Sequence, residues 1–241
     1  MKKLALLSLL LVTACATVPA GLDANGDAIP LATYAVADNM LQGEVTQAHQ
    51  AQWDRFNQLI PAQYHPEIVQ YQPIDAEATD GIDGAVAPVG DGREQWLFQI
   101  DTSGTVEQHE LDRTMVHEYA HLMTLRLAQI PAGGSEESCA TFYVDEGCPV
   151  PTSYLAMFGQ QFWPEGEVYD DGMEDRYAAA TDAYVTEYAA TSAIEDVAEA
   201  FAEYVVHPER WEGDSVADAK VQFFGQFPEL VRLRSVIRSN L

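Results

Sequence analysis

Apolar positions in the first half of the chain follow strand-like patterns. Residues 68–74 and 95–100 are short apolar or alternating stretches, and we predict a β-strand at each. A helical pattern precedes them at residues 44–60 and ends before Pro61. Residues 75–92 are rich in Gly and Asp and are expected to form an irregular loop between the two strands.

The second half of the chain is dominated by helical periodicity. A long helix is predicted from Thr105, where Thr105 and Gln108 form a capping box, to the break at Pro131. Its core-facing stripe consists of Leu111, Met115, Tyr119, Leu122 and Met123. Further helices are expected at residues 173–188, 193–206, 216–224 and 230–237, whereas residues 132–175 are expected to be largely irregular.

The N-terminus has the pattern of an export signal. Met1-Lys2-Lys3 is a basic start, and the apolar run that follows it is too short to span a bilayer. Val12-Thr13-Ala14-Cys15 resembles the lipobox of bacterial lipoproteins, in which the cysteine is acylated after cleavage. The resemblance implies a lipoprotein signal peptide at 1–14 and a lipidated tether at 15–33. The alternative is an ordinary secretory signal with an incidental cysteine.

A lipid on Cys15 would place the protein in the bacterial cell envelope, anchored to a membrane. Ala16, rather than Asp, favours the outer membrane under the sorting rule of enteric bacteria, facing the periplasm or the exterior. Removal of Lys2 and Lys3 leaves ten basic residues against 38 acidic ones, a net charge of −28. This balance argues against nucleic acid as a partner. The length of residues 34–241 fits a single domain.

Export also bears on the two remaining cysteines, Cys139 and Cys148. They are nine residues apart in a chain expected to fold in an oxidising compartment, where a disulfide is more common than a pair of metal ligands. A loop of this length would constrain the unfolded chain by roughly 2–3 kcal/mol. We therefore predict a disulfide between Cys139 and Cys148.

The candidate chemistry lies in the long helix, where residues 117–121 read His-Glu-Tyr-Ala-His. Residues four apart lie on one helix face, so His117 and His121 can reach one metal ion. Glu118, about 100° round the helix, can reach a water on that ion and act as general base. The alternative is a chance string, which a chain with six histidines will occasionally contain.

A catalytic zinc usually has three protein ligands, so the two histidines need a partner. The metzincin continuation, Gly-x-x-His soon after His121, is absent. Ser192 and Glu195 form a capping box at the start of helix 193–206, and Glu199 shares the face of Glu195. We predict that Glu195 binds the metal and that Glu199 accepts the second ring N–H of a ligand histidine. The alternative is a solvated acidic face.

The segment downstream of His-Glu-x-x-His resembles the catalytic domain of the anthrax lethal factor group of gluzincin metallopeptidases. The residues that carry the resemblance are Tyr188, Glu195 and Glu199-Ala200-Phe201. The pattern is also similar to a broad set of bacterial lipoproteins described as zinc-binding metallopeptidases. The resemblance implies that Glu195 is the zinc ligand and that Tyr188 points at the attacking water or the oxyanion. Tyr184 is the alternative to Tyr188.

The resemblance implies an α+β, zincin-like fold. A small mixed sheet and the active-site helix would form an upper lobe at about 34–131, and a mainly helical lower lobe would follow at about 132–241. In zincins an edge strand beside the cleft binds the substrate backbone by β-addition. Residues 96–100 are the candidate for that strand, and the alternative is an ordinary core strand. The long insert between His121 and Glu195, with its disulfide, departs from the family pattern.

The expected function is that of a lipid-anchored, Zn²⁺-dependent peptidase acting on a peptide or protein. Its zinc would be held by His117, His121 and Glu195, with Glu118 as the general base. Two alternatives stay open: a non-catalytic envelope lipoprotein with the same fold, and a zinc amidase acting on cell-wall fragments.

Overall fold

The computed structural model of the chain describes residues 20–79, 81–90, 92–163 and 173–241; Cys15 and the predicted signal peptide lie outside the described residues. The strands come first along the chain, with one helix, α1 (Gln47–Leu59), among them. The strands are β1 (Tyr34–Ala37), β2 (Met40–Leu41), β3 (Glu67–Ile74), β4 (Gly84–Pro88) and β5 (Gln95–Asp101).

The five strands form one mixed sheet with the order β2-β1-β3-β5-β4. β3 and β5 are parallel, with Tyr71 opposite Phe98, and the other neighbouring pairs are antiparallel. β4 is therefore an edge strand, and β5 is paired on both sides.

Six α-helices follow the sheet in the described part of the chain. They are α2 (Gln108–Thr124), α3 (Tyr154–Phe162), α4 (Met173–Ala179), α5 (Ala193–Val206), α6 (Val216–Gln222) and α7 (Pro228–Arg238). α2 packs against β4 and β5 on one side and against α5 on the other. This order confirms the predicted α+β class, with a small mixed sheet and the motif helix first and a mainly helical part afterwards.

Two groups of aromatic side chains form the core on either side of α2. On the sheet side the rings of Phe56 and Phe98 stack with centroids 4.2 Å apart. On the helical side Phe201 and Phe224 meet edge to face at 5.2 Å. The predicted stripe of α2 is buried throughout, as expected for a helix enclosed by both groups. Its members are Leu111, Met115, Tyr119, Leu122 and Met123.

Two of the strand predictions are wrong. Residues 75–92, expected to be irregular, contain β4, whose short Gly-Ala-Val-Ala-Pro sequence has no alternation that would identify a strand. Residues 96–100, the candidate edge strand, belong to the interior strand β5. The alternative of a core strand is the correct one, because Trp96, Phe98 and Ile100 are all buried and β4 covers the outer side of β5.

Three helix predictions need correction. α2 is shorter than predicted at both ends: it ends at Thr124, well before Pro131, and it begins at Gln108 and not at Thr105, because the Thr105 hydroxyl pairs with Ser103 Oγ at 2.7 Å instead of capping the helix. The region 132–175 contains α3, whose N-terminus is capped by Ser153 accepting from the Ala156 N–H. The helix predicted at 173–188 ends at Ala179, and a separate 3₁₀ turn follows at Tyr188–Ala190.

The described part of the predicted tether lies against the domain. The Gly21 N–H donates to the Ala78 carbonyl at 2.9 Å, and the Leu31 N–H donates to the Pro73 carbonyl at 2.8 Å. Among the described residues no helix is both long and apolar enough to cross a membrane.

Candidate metal centre

Helix α2 brings the two motif histidines together. The Nε2 atoms of His117 and His121 are 3.0 Å apart, and both side chains are buried. Their rings meet nearly edge to face, with centroids 4.7 Å apart. One helical turn between the two residues produces this arrangement, because positions i and i+4 lie on the same face.

The third group comes from the first turn of α5. Ser192 caps this helix by accepting from the Glu195 N–H at 3.1 Å. The Glu195 carboxylate does not complete the predicted reciprocal capping box; its Oε2 lies 3.1 Å from His117 Nε2 and 3.3 Å from His121 Nε2. The cap thus fixes the helix start, and the side chain faces the two imidazoles.

These three atoms have the spacing of a metal site. Ligands bound to zinc at 2.0–2.1 Å in a tetrahedron are about 3.3–3.4 Å from one another. The observed separations between His117 Nε2, His121 Nε2 and Glu195 Oε2 are 3.0, 3.1 and 3.3 Å. Among the described residues, the side chains of His117, His121 and Glu195 lie close enough together to hold one metal ion. The donor set therefore fits zinc.

Glu199 supports the first histidine from behind. Its Oε1 lies 2.8 Å from His117 Nδ1, where a neutral imidazole with Nε2 directed at a metal carries its proton. The Thr186 hydroxyl donates to Glu199 Oε2 at 2.6 Å. This is the position that the sequence predicted for Glu199.

Sequence reasoning did not identify Arg113. Its guanidinium donates to both oxygens of Glu199, at 3.2 and 2.8 Å, and its Nε donates to Glu203 Oε1 at 2.9 Å. The Trp211 indole N–H donates to the second Glu203 oxygen at 2.8 Å. Arg113 precedes His117 by one helical turn, so its place on the metal face of α2 was available from spacing alone. Its partners in α5 were not.

The carboxylates around the imidazoles favour positive charge at the centre. Burial lowers the pKa of His117, but hydrogen bonds with Glu195 and Glu199 outweigh it and raise the pKa to about 10. Burial raises the pKa of Glu199, but hydrogen bonds from His117 and Arg113 bring it down to about 2. The two imidazoles likewise overcome burial and hold the pKa of Glu195 well below its usual range. A bound cation would balance the negative charge of the same carboxylates.

Glu118 occupies the narrow contact between α2 and β4. Its side chain is buried, and burial raises its pKa against the opposing charges of His117 and His121. The strand comes this close because residue 84 is glycine. A Cβ there would lie 2.7 Å from Thr114 Cγ2 and 3.2 Å from Glu118 Cγ. A carboxyl group of raised pKa is suited to exchanging a proton near neutrality.

The two candidate tyrosines lie in different surroundings. The Tyr188 ring is 6.0 Å from the His117 ring and half-exposed, and burial together with the charge of Glu195 raises the pKa of its hydroxyl. Tyr184 instead faces the Lys220 ammonium, 3.9 Å from the ring centroid, and Trp163. The structure therefore brings Tyr188 to the centre and leaves Tyr184 in a neighbouring cluster.

A cleft passes over the centre along β4. One cavity of about 400 Å³ is lined by residues that include Asp83, Arg113 and Thr114. A second cavity of about 200 Å³ is lined by residues that include Val86 and Glu146. Both cavities are bordered by four shared residues, Gly84, His117, Glu118 and Tyr188. An extended chain lying beside β4 would therefore pass directly over Glu118.

The predicted disulfide is present. Cys139 and Cys148 are bonded, with their Cα atoms 5.4 Å apart. The loop that they close, which we call the disulfide loop (residues 139–148), includes Glu146 and so forms one wall of the smaller cavity.

No protein-family model matches the chain, and no curated protein matches it. Among solved structures, the chain is similar to a candidate zinc-binding metallo-peptidase from Bacteroides caccae. The sequence identity is 15% and the TM-score is 0.45, and the alignment covers 92% of this chain and 86% of that one. The class defined by the fold and the site is thus an α+β protein with a buried His-His-Glu group that could hold a metal ion.

Proposed function

We propose that the protein is a zinc-dependent peptidase. The observation that carries the proposal is the triangle of His117 Nε2, His121 Nε2 and Glu195 Oε2, with sides of 3.0–3.3 Å. Glu118 lies beside this triangle, between the two cavities of one cleft. Ligands, a candidate base and an open cleft are what hydrolysis at a metal requires.

The side chains around the triangle have separate roles in the proposal. A zinc ion held there would supply Lewis acidity to the substrate carbonyl and acidify a water. Glu118 takes the proton of the attacking water and passes it to the leaving amine. The Tyr188 hydroxyl donates to the oxyanion as the carbonyl carbon becomes tetrahedral. Glu199 keeps His117 in the tautomer that presents Nε2 to the metal.

The edge strand β4 is the proposed docking site for the substrate backbone. Its outer side is not paired with another strand of the described sheet. A peptide added there would form main-chain hydrogen bonds and place a carbonyl group over Glu118. This proposal replaces residues 96–100 as the substrate-binding edge.

Glu118→Gln tests the proposed function in the detergent-solubilised full chain. We expect peptide hydrolysis to fall by at least about 1,000-fold, since the amide cannot take a proton, while zinc content is unchanged. Activity is measured on a broad peptide library and, in parallel, on peptidoglycan fragments. Peptidase activity that survives in the zinc-loaded variant would overturn the assignment of the base. Cleavage of peptidoglycan alone would favour an amidase. If neither peptides nor peptidoglycan fragments are cleaved, a non-catalytic role is favoured.

We also propose that a lipid on Cys15 anchors the protein in the bacterial envelope, on the strength of the residue pattern at 12–15. Cells that produce the wild type are expected to hold the protein in the membrane fraction, and cells that produce Cys15→Ser are expected to release it from that fraction or retain it unprocessed. Equal fractionation and equal processing of the two forms would exclude the lipid anchor.

A further inference from the structure

The smaller cavity differs from the larger one in the chemistry of its walls. Polar groups make up most of its lining, and Val86, Leu125 and Ile194 add a smaller aliphatic part. Glu146 adds a carboxylate at the wall formed by the disulfide loop. We call this space the Glu146 pocket, bounded by Val86, Leu125, Glu146 and Ile194 next to the metal centre.

The backbone fixes Glu146 in its place. Val144 and Gly147 form a two-way bridge, with N···O distances of 3.0 and 2.8 Å, so that Glu146 lies inside a tight turn. Gly147 has φ +123°, a conformation open to glycine, and the disulfide follows at Cys148. The backbone bridge and the disulfide together close this loop, and they hold the carboxylate against the cavity instead of leaving it free in solvent.

One oxygen of this carboxylate is buried without a partner. Glu146 Oε2 accepts no hydrogen bond from any residue that the structure describes. Arg93 attracts Glu146 electrostatically, but its own guanidinium donates to the carbonyls of Leu125 and Ile130, at 3.2 and 2.7 Å. Buried polar atoms in folded proteins nearly always have a partner, and an unpaired buried carboxylate oxygen is costly. A donor from a bound molecule would remove this cost.

A mainly polar pocket with an aliphatic patch and a carboxylate matches the side chains of lysine and arginine. Their methylene stems pack on apolar surface while the charged end seeks an anion. We propose that the Glu146 pocket receives a basic side chain of the substrate. This side chain belongs to one of the two residues that flank the scissile bond, namely the one on the side of Glu118 where the pocket lies. The inference rests on the proposed peptidase function and adds a substrate class to it: peptides cleaved next to Lys or Arg.

Matched peptides test the pocket. Two positional series carry lysine or norleucine at each position flanking the cleaved bond, because norleucine keeps the apolar stem and lacks the ammonium group. We expect kcat/KM to be about 10-fold higher for lysine at one of the two positions, as a desolvated charge pair would give. In Glu146→Gln this ratio should fall to about one, and in Glu146→Lys a glutamate peptide should become the better substrate.

Glu137→Gln is the control, since Glu137 is an exposed acid just before the disulfide loop; we expect it to keep the wild-type ratio. A ratio near one in the wild type, or a lysine preference that survives Glu146→Gln, overturns the pocket while leaving hydrolysis of the norleucine peptides as evidence for the peptidase. If no peptide is cleaved, the proposed function fails. Binding of the same peptides to the Glu118→Gln protein, measured by fluorescence anisotropy, then still decides whether the pocket prefers lysine.

Discussion

At the scale of single residues, the centre is defined by an excess of negative charge. Four buried or nearly buried carboxylates, those of Glu118, Glu195, Glu199 and Glu203, face two imidazoles and the guanidinium of Arg113. Arg113 offsets the charges of Glu199 and Glu203, and within the described residues it forms no ion pair with Glu118 or Glu195. Protonated histidines or a divalent cation must supply the remaining positive charge. The His117, His121 and Glu195 donor set could hold such a cation.

The oxyanion role proposed for Tyr188 makes a prediction at this scale. Tyr188→Phe keeps the ring beside His117 but removes the hydroxyl, so we expect kcat to fall by about 100-fold with little change in KM. The measurement is steady-state kinetics on a peptide that the wild type cleaves. Tyr184→Phe is the matched variant and is expected to stay within about twofold of wild type. A larger loss of kcat in Tyr184→Phe than in Tyr188→Phe would reverse the assignment.

At the scale of elements, prediction succeeded where local signals agree. α5 is found at Ala193–Val206, as predicted. Its apolar periodicity and its Ser192 cap are both local signals, carried by residues of the helix itself or next to it. The positions of His117, His121 and Glu195 followed from helix spacing combined with a family resemblance. β4 was missed because its strand character comes from pairing with β5 and from the close approach at Gly84, neither of which leaves a periodic pattern.

Long-range charge pairs mark the limit of prediction from sequence. Lys220 of α6 is buried and lies 2.6 Å from Asp196 Oδ2, which also accepts from the Trp163 indole at 2.7 Å. Asp196 follows Glu195 directly in the first turn of α5. No local pattern connects residues 24 positions apart, yet this pair fixes the turn that presents Glu195 to the histidines. It is therefore part of the scaffold of the site.

The pair predicts a pH-dependent loss of stability. Burial already raises the pKa of Asp196 to about 6, against the lowering effect of Lys220. Lys220→Met removes this lowering effect and would raise the pKa of Asp196 further. Below that pKa the Asp196 carboxyl is protonated and carries no unpaired charge, so the loss of stability in Lys220→Met grows as pH rises. We expect the free energy of unfolding to drop by about 3–5 kcal/mol at pH 8 and by less at pH 5.

Urea denaturation at the two pH values measures this effect, with Arg232→Met as the control for loss of an exposed cation. The control is expected to change stability by about 0.5 kcal/mol or less. A loss in Lys220→Met that is equally small, or that is larger at pH 5 than at pH 8, would contradict the role of the pair.

At the scale of the whole molecule, two distant parts of the chain build one centre. α2 supplies His117, Glu118 and His121 from the sheet side, and α5 supplies Glu195 and Glu199 from the helical side, nearly 80 residues later in sequence. The intervening segment contributes the disulfide loop, which closes the smaller cavity with Glu146. Its sequence predicted the disulfide, but not α3 or the wall of the cleft, since both depend on packing against distant elements.

The most direct test of the central claim is the zinc content of the purified full chain, compared between wild type, Glu195→Ala and Glu209→Ala. Glu209 is an exposed acid beyond α5 and serves as the matched control. After dialysis against a weak chelator, we predict about one zinc per chain in wild type and in Glu209→Ala. In Glu195→Ala the affinity should fall on the order of 100-fold or more, leaving far less than one zinc per chain. Stoichiometric zinc retained by Glu195→Ala would contradict the account.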